Sequence, residues 1–141
     1  MESRRARRAV LLGGLLLLGV SSWAVYQAHE TRHRVESTLR MTLPEGAADF
    51  EWEDFSSFLE DNVLVAFTVE PSDFDDLASR LACRPTDGGA LLPDSRLGPA
   101  PLAPGERACT HQVNPKDWTV VRVSPLAPTR LRVAVEIFSD Y

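Results

Sequence analysis

From residue 41 to residue 79 the chain has no Lys, Arg or His, although acidic side chains run through the same stretch from Glu45 to Asp76. Its basic residues are confined to the head and the tail. A nucleic-acid backbone is bound by a clustered basic face, so this distribution excludes that partner class. It favours a basic ligand, a basic protein partner or an internal charge match. Glycine-rich phosphate loops are also missing, and the few Cys and His do not add up to a complete ligand set, so neither a cofactor nor a metal is expected. Cysteine is scarce, with Cys83 and Cys109 alone, and neither follows the apolar run at the head, which excludes a lipid-modified N-terminus.

What is present is ordinary for a globular protein: 141 residues, 44% hydrophobic, 25% charged, net charge −5. With the head set aside, roughly 100 residues remain, the size of one small domain. The head itself begins "MESRRARR", a positive n-region, and residues 9–28 carry no charge. At about 1.5 Å per residue that stretch spans roughly 30 Å, the thickness of a bilayer core. Its strongly apolar part, "AVLLGGLLLLGV", has the length of a signal-peptide h-region, and Ser22 and Ala24 offer the small residues that a signal peptidase reads. The arginine pairs lack the residues that usually follow a twin-arginine signal.

The sequence after the run decides between anchor and cleaved leader. "QAHETRHRVESTLRMTLP" has no breaker before Pro44, sets Val35 and Leu39 one turn apart, and offers Glu30/Arg34 and Glu36/Arg40 as i,i+4 pairs. This pattern predicts a helix continuing out of the membrane, with Trp23 and Tyr26 suited to an interfacial belt. The expectation is a signal-anchor over residues 1–28, a juxtamembrane helix over 29–43 and an extracytoplasmic domain over 44–141. Secretion after cleavage is the alternative.

In the domain, "ADFEWED" alternates acids with Phe50 and Trp52, as a half-buried strand does. "NVLVAFTVE" is apolar on both faces, which predicts an interior strand. Ser72 reads as an N-cap with Asp75 as its capping-box partner, and Phe74, Leu77, Ala78 and Leu81 form the stripe of an amphipathic helix. Residues 84–116, rich in Pro and Gly, show no period and read as one long loop. Cys83 and Cys109 bracket most of it, and in an oxidising compartment they form one disulfide. The tail reads as a hairpin with Arg122 across from Arg132, a like-charge pair that calls for Glu51, Glu53 or Glu70 beside it. The expected fold is α+β: one N-terminal transmembrane helix, then a small antiparallel β-β-α-β-β sheet packed against one helix.

Candidate chemistry is thin. Cys109 and His111 share a strand face with Asp117 nearby, as a thiol nucleophile and base would, but no oxyanion-hole element accompanies them. Cys83, Cys109 and His111 lack a fourth zinc ligand. His29 and His33 could hold a metal, yet Arg32 and Arg34 between them make a solvated helix face. "DFDD" does not have calcium-loop spacing. Trp52, Trp118 and Tyr141 could form an aromatic platform, although packing is the default for such residues. The remaining candidate is an acidic docking face of Glu51, Glu53, Asp54, Asp73 and Asp76. The expected function is therefore a non-enzymatic, membrane-anchored binding module of a bacterial-type cell envelope, with the membrane and an envelope protein as partners. A thiol or hydrolase enzyme using Cys109/His111, and an inhibitor or immunity protein, are the alternatives.

Overall fold

The computed structural model describes the backbone of residues 2–98 and 101–140, with side chains described for residues 20, 22–98 and 101–139. In chain order the elements are α1 (Glu2–Leu39), β1 (Ala48–Asp54), β2 (Glu60–Val69), α2 (Pro71–Arg80), β3 (Arg107–Gln112), β4 (Asp117–Ala127) and β5 (Arg130–Asp140). The strands form one antiparallel sheet in the order β1-β2-β5-β4-β3. The α+β class stands, but the sheet has five strands where the sequence pattern predicts four. The additional strand, β3, lies inside the stretch read as loop. Its six residues, "RACTHQ", are mostly poor strand formers, and their alternation is too short to show against the Pro/Gly background.

Register sorts the side chains of the sheet into two faces. On the first, Val65, Phe67 and Val69 of β2 meet Val133 and Val135 of β5 and Val121 and Val123 of β4, all essentially inaccessible to solvent. Phe74, Leu77, Ala78 and Leu81 of the α2 region cover this face, as their spacing predicts. So do Val35 and Leu39 of α1, which makes two helices on this face where one is expected. The second face carries Leu64, Val120, Ala134 and Phe138, with Ala108 from β3. Leu91, Leu92, Leu97 and Leu102 of the long connection cover it.

That connection is a structural layer. It leaves α2 at Cys83 on the helical face, and Thr86 exchanges two backbone hydrogen bonds with Ala108 on the outer edge of β3. From there it crosses to the second face. At the crossing, a Cβ on Gly89 would stand 1.6 Å from the Ala108 carbonyl oxygen, so only glycine fits.

Four local expectations change. The helix of α2 begins at Pro71 with Glu70 as its N-cap, and no side chain caps it. Ser72 lies within the first turn, because proline's fixed φ suits the first helical position. The helix at the head ends at Leu39, short of residue 43, because Arg40 takes a left-handed φ of 53° and Met41 N–H donates back to the Glu36 carbonyl. Glu36 consequently pairs with Arg32 at 3.1 Å, not with Arg40, while the Glu30/Arg34 pair forms at 2.7 Å. In the hairpin, Arg122 stands opposite Ala134, and Arg132 opposite Ser124. The expected register is two residues off. Burial fixes which face a residue takes, but a slip of two preserves every face, and the two-residue turn at Pro128 and Thr129 selects the register.

Among the described residues, no helix is long and apolar enough to cross a membrane. The side chains of the apolar run, residues 9–19, lie outside the described residues, as does Tyr141.

Candidate functional site

The helix α1 joins the domain through its last three turns. Val35 is fully buried and Leu39 nearly so. The Arg32 guanidinium donates to the carbonyls of Leu43 (2.9 Å) and Pro44 (3.2 Å), and the Glu36 carboxylate accepts from Leu43 N–H, so the chain after the helix is clamped back along it. Trp52 Nε1 donates to the Thr38 hydroxyl at 3.0 Å. Arg32 sits over the Phe50 ring and Arg34 over Trp52. Trp52 is thus a packing residue, and Arg34 is held by it. From Ser22 to His29 every side chain is exposed, including Trp23 and Tyr26.

The five acids of the expected docking face do not come together. Glu51 and Glu53 are on the second face of the sheet, opposite Ala66 and Leu64. Asp73 and Asp76 are on α2, across the sheet from them, and Asp76 pairs with Arg80 at 3.4 Å. Glu51 receives both nitrogens of Arg132 at 2.8 and 2.7 Å, as the hairpin's charge requires. This pairing holds the Glu51 carboxyl below its ordinary pKa and raises Arg132. Arg122 finds a different acid, Glu106 from the long connection, and also donates to the Leu97 carbonyl. With Ala103 N–H and the Ser124 hydroxyl added, Glu106 is brought down to about 2.

Cys83 and Cys109 are joined in a disulfide with Cα atoms 6.0 Å apart. While that bond holds, Cys109 has no thiol to offer His111, although the two do share a face of β3. Among the described residues no group of His, Cys, Asp and Glu is arranged to hold a metal ion.

Two features have no counterpart in the sequence reading. The first is Glu136, completely buried in β5. One carboxylate oxygen accepts from Asn62 Nδ2 at 2.9 Å, and the other from the Ser95 hydroxyl at 2.6 Å and Arg96 N–H at 2.9 Å. It fastens the long connection to the middle of the sheet. A glutamate alternating with valines in "VAVEIF" is the only sequence signal for it, and exposed strand faces produce the same pattern.

The second is the end of the sheet formed by the 55–59 hairpin tip, the 113–116 turn and the end of β5, which the pairings Asp61↔Ser139 and Asp117↔Ser139 bring level. A cleft of about 450 Å³ opens there between Leu39 of α1, Arg40 just beyond it, and Asp61, Val63, Val113, Thr119 and Ile137. Phe58 is 97% exposed, Leu59 72% and Val113 62%. Asp117 accepts from the Ser139 hydroxyl and the Asn114 amide, and Asp54 from Ser56, which keeps both carboxyls below the ordinary aspartate pKa. No protein-family model matches this chain, and neither a curated protein nor a solved structure matches it.

Proposed function

We propose that the chain is a membrane-anchored binding module whose domain works outside the cytoplasm and docks another envelope protein without chemistry of its own. One observation carries the reading: a single helix, Glu2–Leu39, is core to the domain at Val35 and Leu39, yet exposes Val20, Trp23, Val25 and Tyr26 to between 63% and 70%. Exposed large apolar side chains clustered on one element mark a surface meant for lipid or protein. They sit in the second half of the uncharged stretch 9–28, just before the polar residues His29 and Glu30. That is where an interfacial aromatic belt belongs. The four arginines before the stretch orient it with the N-terminus inside, and a disulfide fits the oxidising side.

Alkaline carbonate extraction of native membranes, followed by N-terminal sequencing, tests this. The expected result is a chain that stays with the lipid and begins upstream of Val25. Release into the supernatant with Val25 as first residue would remove the anchor.

A further inference from the structure

We propose that a second cleft, between α2 and the start of β3, binds a small ligand that carries an oxyanion, a carboxylate or a phosphate, on an apolar body. Arg84 and Arg107 donate to the oxyanion, and Phe74, Ala78 and Pro85 form the floor under the body. The site lies within the domain and does not depend on how α1 meets a membrane.

The cleft has a volume of about 450 Å³, in the range of small-molecule sites. Phe74, Ala78 and Pro85 are buried at its base, Asp75, Ser79 and Arg84 are exposed at its rim, and Arg107 is half-buried. Arg84 follows Cys83 directly and Arg107 stands two residues before Cys109, so the disulfide and the Thr86–Ala108 bridge hold both cations beside α2. Most arginines of this chain are already engaged. Arg32, Arg34, Arg80, Arg122 and Arg132 each meet a carboxylate, and Arg130 donates to a carbonyl. Among the described residues, Arg84 and Arg107 meet neither, and Asp75, the acid on the rim, pairs with neither of them. Arg40 and Arg96 also lack such a partner; Arg84 and Arg107 differ in bordering one cleft. Arg107 lies over the Phe74 ring, 4.8 Å from its centroid. Stacking uses the flat face of the guanidinium and leaves the N–H donors at its edge, in the fork that a carboxylate or a phosphate accepts. The charges that line the cleft are two guanidiniums and one carboxylate, which attract an anion and repel a cation. Asp76, next on the helix, is taken up by Arg80. The Ser79 hydroxyl supplies a further donor at the rim.

The test titrates the full chain in zwitterionic lipid nanodiscs with benzoate, phenyl phosphate, inorganic phosphate, benzyl alcohol and benzylamine. Binding is read by amide and arginine Nε–H chemical shifts. At least one of the two aryl acids is expected to bind saturably and to move the signals of Asp75, Ser79, Arg84 and Arg107; the tighter of them names the oxyanion. Benzyl alcohol lacks the charge, benzylamine reverses it and inorganic phosphate has no body for the floor, so each should bind at least tenfold more weakly than that acid. Arg84→Gln removes one guanidinium from an exposed position and leaves the fold in place. It should weaken binding by about tenfold, the value of one charge-assisted contact. Asp75→Asn should tighten binding, which a merely structural role would not do. No saturable binding of either aryl acid, equal binding of any of the other three probes, shifts confined to other regions, an Arg84→Gln variant that binds like the parent, or an Asp75→Asn variant that binds more weakly would each overturn the proposal. Arg84 and Arg107 signals that move on exchange into anionic lipid, with no acid added, would overturn it as well, by assigning the oxyanion to the bilayer.

Discussion

At the scale of single residues, Glu136 shows how a buried carboxyl group is held by hydrogen-bond donors with no cation beside it. Three donors converge on its carboxylate, and Asn62 Oδ1, buried beside it, has no hydrogen-bond partner. Glu136→Ala strands an amide, a hydroxyl and a backbone N–H together, and each orphaned donor costs about 1–3 kcal/mol. A loss of about 3 kcal/mol or more in urea denaturation is expected. Glu136→Gln should lose far less, because a flipped Asn62 can turn its idle oxygen toward the new amide while the remaining oxygen still receives Ser95 and Arg96. Equal losses in the two variants would refute this account of the site. Glu106 makes the complementary case, partly buried in the same layer and paired with a cation. Its folded pKa, about 2, lies below its ordinary value of 4.5, so its contribution is complete above 4.5 and disappears as the pH falls through 2. The denaturation midpoint should fall across that window, and Glu106→Gln should start lower and fall less steeply.

At the scale of elements, the long connection is best understood as the second wall of the core. Its Leu91, Leu97 and Leu102 do for one face of the sheet what two helices do for the other. It is held at the Cys83–Cys109 disulfide, the Thr86–Ala108 bridge and the Glu136 carboxylate. Closing a loop with a sequence separation of 26 contributes about 3.5 kcal/mol on the chain-entropy estimate. Reduction, or Cys83→Ala with Cys109→Ala, should lower stability by that order in urea titrations read by tryptophan fluorescence. Gly89→Ala should also destabilise the domain, by forcing the connection off the edge of β3. The strands β1 and β2, the stripe on α2 and the disulfide were all readable in the sequence, because each is a local pattern or a two-member choice. The short edge strand β3 was not, since six residues carry too little period. Nor was the role of residues 84–106, whose leucines are spaced by turns and have no regular repeat. The acids at 51, 53, 73 and 76 looked like one face only because they are close in sequence; β2 and the sheet plane separate them.

At the scale of the whole molecule, the question is whether α1 is a leash or a mount. A leash leaves the domain free to tumble. Here the helix runs unbroken from Glu2 to Leu39 and gives the domain part of its core, so the orientation of the domain follows that of the helix. The consequence is a sharp boundary within one element. A chain beginning at residue 29 keeps Arg32, Val35, Thr38 and Leu39 and should unfold at the same urea concentration as the full-length protein in mild detergent. A chain beginning at residue 41 loses two buried aliphatic side chains, each worth about 1.5–3 kcal/mol, together with the Thr38 partner of the Trp52 indole. It should therefore be less stable by about 3 kcal/mol or more, with Trp52 fluorescence shifted to the red as its ring becomes wet. Equal stability of the two truncations would show that α1 is only a leash, and that the direction in which the domain faces is not set by the helix that carries it.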